Sequence, residues 1–285
     1  NLRFLSAVMW DQRENAPGRS VPDDLTQQAI DATLGHAQAA AAPDLATAQS
    51  IRDFEIALYT AQVSDNEAGS LTTDGANGGP IALAQQAFFL GINDPFGGNP
   101  TGAAFDSNAF NLYDNWAKSS NSNTEQARES IKRGELLFNS FPIPIFGVAG
   151  LNGPNDPSQA VIMGTCSTCH NTPNVGDHSL AVPLNIGVAD QRFSTSDDPL
   201  FTLINKATGQ VTQSSDPGVA MVSGQWSDIG KFKVPVLRGL AGRAPYFHNG
   251  SAKTLEDVVK FYKDRFNLPL SGDQVNDLAN FLRSL

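Results

Sequence analysis

The chain has 285 residues, enough to bury one or two hydrophobic cores without disulfide or metal staples. Its 19 basic and 29 acidic residues leave a net charge of −10, with no Lys/Arg stripe to track a phosphate backbone, which excludes nucleic acid as a partner. Apolar residues make up 40% beside 25 Gly and 17 Pro, a composition that excludes disorder and fibres and expects a globular protein with long irregular stretches. The longest apolar stretches, Pro80 to Ile92 and Phe141 to Leu151, are broken by Gln85, Gln86, Pro142 and Pro144, so neither reaches the roughly 20 residues of a bilayer span.

In chain order, the opening Asn1-Leu2-Arg3 carries neither an initiator Met nor a signal peptide and reads as a processed or incomplete chain. From Val21 to Gln62 the spacing is helical. Leu25, Ala29 and Ile30 recur after Pro22-Asp23-Asp24, and Ile51, Phe54, Leu58 and Ala61 after Pro43-Asp44, predicting a hairpin of two amphipathic helices. Asp65 to Pro80 reads as a loop, a short helix is expected around Ile81 to Leu90, and Asn93 to Gly102 cannot be regular.

The run Ser119 to Thr124 is the best linker, and it divides the chain into residues 1–120 and 121–285. Ser122 with Glu125 three residues on is a capping-box signature for a helix through Phe138. A Pro/Gly-dense loop (Pro142 to Pro157) follows, then a long stretch with little periodicity after residue 170, then helices over Thr254–Tyr262 and Gly272–Leu285. Leu255, Val258, Val259 and Tyr262 form one stripe, and Val275, Leu278, Leu282 and Leu285 another. No strand longer than four or five residues is expected, and no internal repeat is visible. The fold class is mainly α, with long irregular loops and little strand.

Both cysteines of the chain fall in Cys166-Ser-Thr-Cys169-His170. Cys-x-x-Cys-His is the attachment sequence for c-type haem: two thiols become thioethers on the porphyrin, and the adjacent imidazole becomes an axial iron ligand. A redox Cys-x-x-Cys needs no following His, and a zinc site completed by His178 would force Cys169 and His170 onto one tetrahedral ion. Covalent haem implies a periplasmic or otherwise extracytoplasmic location. The candidates for a sixth iron ligand are Met163, His178, Met221, His248 and Tyr262.

The block Lys231 to Gly250, containing Arg238-Gly-Leu-Ala-Gly-Arg243-Ala-Pro245-Tyr-Phe-His248, resembles the C-terminal haem domain of the bacterial di-haem cytochrome c peroxidase and MauG family. So does the following Thr254 to Tyr262, and upstream Arg133-Gly134-Glu135 and Met9-Trp10-Asp11-Gln12-Arg13 are similar to family segments, with Gln12 where the family has Gly. The resemblance implies a C-terminal cytochrome c domain over 121–285 and the remainder of a peroxidatic-type domain over 1–120. In the family the sixth ligand, Met or Tyr, lies fourteen residues after the Pro-Tyr-x-His histidine, which here gives Tyr262. A phenolate favours ferric iron and would lower the potential, where a thioether would raise it.

The same resemblance puts His248 near the haem edge, Arg238 against a propionate, and a calcium on the carbonyls of Arg243 and Pro245. It makes Trp10 the electron relay between two haems. Counting on from Gln28, the distal glutamate falls on Gln38, with His36 nearby as an alternative proton carrier. The chain holds a single Cys-x-x-Cys-His, so the second haem is expected on an N-terminal segment before Asn1 or on another chain.

The implied activity is peroxide reduction, fed by a small redox protein through the Cys166/Cys169/His170 haem and Trp10. Two alternatives stand beside it: MauG-like oxidation of a protein or organic substrate through high-valent haem, and a mono-haem electron-transfer cytochrome or subunit of a larger cytochrome assembly.

Overall fold

The computed structural model describes residues 1–116, 121–153 and 159–285. Ser119 and Ser120, the first two residues of the expected linker, lie outside them, as do residues 154–157 of the expected loop. The architecture is mainly α with little strand. The helices are α1 (Val21–Asp31), α2 (Leu45–Ala57), α3 (Gly79–Ala84), α4 (Asn123–Ser140), α5 (Ala220–Ser223), α6 (Leu255–Arg265) and α7 (Gly272–Ser284). Among the described residues three antiparallel two-stranded ribbons accompany them: β1 (Ser64–Asp65) with β2 (Gly69–Ser70), β3 (Ile143–Phe146) with β4 (Val161–Gly164), and β5 (Phe201–Ile204) with β6 (Val211–Ser214). No described helix is long and apolar enough to cross a membrane.

The helix starts follow the sequence signals. Ser20, Thr254 and Ser271 each form a capping box with the residue three places on, and the Ser122 hydroxyl accepts from the Glu125 amide. Three elements differ from expectation, the first being β2 (Gly69–Ser70), which pairs with β1 inside the stretch from Asp65 expected as loop. The short helix stops at Ala84 because Phe88 turns in to meet Phe4 edge-on, ring centroids 6.0 Å apart. Ile143–Phe146, expected as loop, pairs with Val161–Gly164, and the ribbon tolerates Pro144 because each of its strands has a free edge.

Helices α4 and α7 form the spine of the fold, and three consecutive residues set their crossing. A Cβ on Gly134 would stand 2.0 Å from the Asp277 carbonyl oxygen and 2.6 Å from the Phe281 Cβ, so only glycine lets the two backbones meet. Next to it Arg133 grips Asp277 bidentately, with Nε and Nη2 each 2.8 Å from a carboxylate oxygen. On the other side Glu135, fully buried, accepts the amides of Leu112 and Tyr113 and pulls that segment onto α4. Burial pushes the Glu135 carboxyl up to about 7.

The main core runs without a break across position 121: Ala68, Leu71, Phe110, Leu112, Tyr113 and Trp116 belong to the same apolar cluster as Phe138, Val259, Leu278 and Phe281. A smaller cluster of Phe4, Leu5, Leu83, Val175 and Val236 ties the first residues to the middle of the chain.

Candidate functional site

The strand β4 delivers the chain into a single helical turn at Cys166–Thr168. Thr165 opens the turn, its amide held by the Thr168 hydroxyl at 3.0 Å. The amides of Cys169 and His170 both donate to the Cys166 carbonyl, at 3.3 and 3.0 Å. Helical spacing then puts residues i, i+3 and i+4 on one face, so both thiols and the imidazole point the same way. Asn139 of α4 steadies this turn: its Oδ1 accepts from the Ser167 hydroxyl while its amide nitrogen donates to the Phe110 carbonyl.

The His170 ring is fixed by one hydrogen bond. Its Nδ1 lies 2.6 Å from the Gly176 carbonyl, an atom that can only accept, so Nδ1 carries the hydrogen and Nε2 holds the free lone pair that a metal requires. Burial lowers the imidazole to about 4, which keeps it neutral and ligand-ready. Gly176 is obligatory: its φ is +79°, and a Cβ there would stand 2.7 Å from the Phe110 ring. Asn174 braces the same loop, joined to Asn111 at 2.8 Å and, through its carbonyl, to Arg238 Nη1 at 2.8 Å.

Cys166 and Cys169 are unpaired, half-buried and packed against the main apolar cluster beside Ile186, Tyr246 and Tyr262. These surroundings push both thiols up to about 12. Tyr262 comes to the thiols: burial raises its phenol, and the nearby Cys169 and Cys166 raise it further. No described residue hydrogen-bonds its hydroxyl. The chemistry of this donor set fits covalent haem: two thiols on one face, an imidazole with Nε2 free, and an unpartnered phenol on an apolar wall. Cys166 and Cys169 would anchor the porphyrin and His170 would ligate iron, which supplies one-electron redox chemistry when bound.

The remaining sixth-ligand candidates are elsewhere or engaged. Met163 and Met221 are 67% and 55% exposed. His178 is buried with its Nδ1 donating to the Cys169 carbonyl at 3.1 Å. His248 pairs through Nε2 with Asp216 and stacks on Phe232 at 3.8 Å between ring centroids. Arg238 is fully buried; its Nε donates to the Leu285 carbonyl at 3.0 Å and its Nη2 meets no described partner.

Trp10 stands on a tight turn whose Gln12 has φ +59°, the left-handed region that explains why a glycine suits this place. The Trp10 carbonyl accepts the Lys233 amide at 2.8 Å, and its ring lies 5.9 Å from that of His248. The carbonyls of Arg243 and Pro245 accept no hydrogen bond from a described residue. His36 and Gln38 are exposed on the turn that closes α1, with no side-chain hydrogen bond to a described residue.

Asn139, Gly176 and Asp177 escaped the sequence reading. Asp177 is buried with neither carboxylate oxygen in a hydrogen bond, Thr172 and Lys233 being its polar neighbours, and burial lifts it to about 7. For Gly176 and Asp177 the signal was closeness to the Cys-His motif; Asn139, on α4, carried none.

These features fit a c-type haem-binding site, and the chain has relatives among the cytochrome c peroxidases. Cytochrome-c peroxidase IdrP2 of Denitromonas iodatirespirans is 33% identical over 141 residues, covering 43% of this chain and 36% of that protein. Cytochrome-c peroxidase IdrP1 of Pseudomonas sp. (strain SCT) is 29% identical over 180 residues, 55% of this chain and 40% of that protein. Cytochrome c551 peroxidase of Nitrosomonas europaea is 32% identical over 121 residues, 42% of this chain and 30% of that protein.

The chain is thus related to the bacterial cytochrome c peroxidases, and the match spans well under half of each relative's length. No family model matches. A solved MauG-like protein associated with microbial copper homeostasis is similar at 21% identity and a TM-score of 0.36, covering 55% of this chain and 43% of its own.

Proposed function

We propose that this chain is the electron-receiving part of an extracytoplasmic peroxidase of the di-haem type. One haem c sits on Cys166, Cys169 and His170 with Tyr262 as its sixth ligand. Residues 121–285 act as the cytochrome domain and residues 1–120 as part of the peroxidatic one. A small redox protein supplies electrons, Trp10 relays them, and hydrogen peroxide is reduced at a second haem held by a segment outside this chain. There His36 or Gln38 would serve the distal side, and a calcium on the carbonyls of Arg243 and Pro245 would lie between the haems. The observation that carries this reading is the His170 Nδ1 to Gly176 carbonyl hydrogen bond beside two co-facial thiols and the free Tyr262 hydroxyl.

Tyr262 in place of a thioether also favours a second reading, MauG-like oxidation of a protein or organic substrate, because an anionic oxygen ligand stabilises the more oxidised iron. One experiment separates the two. The haem-loaded chain, completed with its second haem segment, is given peroxide with either a reduced small cytochrome or no donor. Rapid donor oxidation supports the peroxidase; stable oxidised haem that decays by modifying an added protein supports the MauG-like reading. A low-spin haem indifferent to peroxide in the completed protein would leave only an electron-transfer cytochrome.

A further inference from the structure

Three groups meet at the turn that carries Trp10. The Trp10 ring, 40% exposed, lies 5.9 Å from the His248 ring, tilted by 54°. His248 is stacked on Phe232 at 3.8 Å and 20°, and its Nε2 is tied to the Asp216 carboxylate. Neither the Trp10 indole N–H nor His248 Nδ1 has a described hydrogen-bond partner. On the other side of His248, Phe247 holds φ +63°, a backbone state rare for an aromatic residue and characteristic of sites where the surroundings over-determine the geometry. Its ring lies 6.5 Å from that of Tyr262. Residues 247 and 248 therefore touch, in succession, the phenol of the thiol pocket and the indole of Trp10.

We propose that His248 and Asp216 are positioning residues that make Trp10 oxidisable. This inference rests on the relay reading of Trp10 given above. In the step, with haem bound at His170 and on the second segment, Trp10 would give one electron to the oxidised iron of the second and would be refilled by one electron from the first. No bond is made or broken, and the indole keeps its proton. The oxidised indole carries a positive charge, and the Asp216 carboxylate, tied to the imidazole whose ring lies 5.9 Å from the indole, stabilises that charge where water alone would have to reorganise around it. Phe232 behind His248 holds the imidazole at contact distance, so the negative end cannot swing away.

The test uses the haem-loaded chain and a soluble ruthenium(III) photo-oxidant, so that neither peroxide nor the second haem is needed. A laser flash generates tryptophan radical, read by its transient absorption, and haem oxidation is followed in the same trace. The wild type is expected to give a radical that Trp10→Phe removes. Asp216→Asn, which keeps the shape and loses the charge, is expected to cut the Trp10-dependent yield about tenfold. His248→Phe, which keeps the ring stack and loses the tie to Asp216, should do the same. A merely structural role would lower thermal stability and leave the yield alone.

The proposal is overturned if both variants stay within about twofold of wild type, or if Trp10→Phe leaves the signal intact because Trp116 or Trp226 carries it. Failure of peroxide turnover in the completed protein would sink the peroxidase reading and leave this result standing.

Discussion

Along α7 and its C-cap, Val275, Leu278, Leu282 and Leu285 are all buried, whereas along α2, a helix of the same 13-residue length, and its C-cap, Leu45, Ile51, Phe54 and Leu58 are all exposed. Both helices carry apolar residues at helical spacing. The first has α4 and the segment around Leu112 to lie against; among the described elements the second packs mainly on α1 and the first residues of the chain. Periodicity reports that a helix has an apolar face and is silent about what covers it. The same division runs through the site residues. Cys166, Cys169, His170 and Tyr262 are assembled by this chain's own packing, while His36 and Gln38 stand at the surface on the α1 turn.

Substitutions at the well-packed end should be the costliest. Gly134→Ala forces a methyl into the Asp277 carbonyl and should destabilise the fold by about 3 kcal/mol or more, read by chemical denaturation. Gly176→Ala combines a left-handed backbone with overlap on Phe110 and should cost about 2 kcal/mol. It should also displace the carbonyl that orients His170, lowering iron-ligand occupancy about tenfold in a haem titration. At the other end, Phe54→Ser removes an exposed ring and should change stability by less than about 0.5 kcal/mol in the same denaturation assay. A large loss there would mean that α2 is covered in solution and would break the comparison.

Asp177 sharpens it through pH. Its carboxyl is raised from 3.8 to about 7 in the folded chain, so the native state holds a proton that the unfolded state has released across that window. Stability attributable to this group is then complete at about pH 4 and falls as pH rises towards 7, by at most about 1.4 kcal/mol per pH unit. Glu135, raised from 4.5 to about 7, acts in the same direction. Asp177→Asn should flatten the decline measured by urea unfolding between about pH 5 and 7; an unchanged slope would mean that Asp177 is ionised inside the fold, with Lys233 its counter-charge.

Much of the fold could be read from the residues because its signals are local. Ser122, Thr254 and Ser271 mark helix starts through their own hydroxyls, and the α6 and α7 stripes face the core. The Cys-x-x-Cys-His turn is also local, which is why its chemistry was plain from five residues. The β3–β4 pairing was hidden because Pro144 argues against a strand and its partner begins fifteen residues after Phe146. Gly176 and Asn139 were hidden for a different reason. Their roles come from a carbonyl direction and an amide contact with a residue distant in sequence, which no residue type announces. Gly134 sat inside a recognisable triplet, but its purpose, the contact with Asp277, depends on a helix more than a hundred residues away.

The central claim is that the Cys166–His170 turn is built to hold covalent haem, and intact mass spectrometry of the chain matured in an extracytoplasmic compartment tests it most directly. The account predicts a species heavier than the polypeptide by one haem, with Cys166 and Cys169 both closed to thiol reagents under denaturing conditions. A chain at its bare polypeptide mass, with both thiols free after maturation in a host that loads other c-type cytochromes, would contradict it.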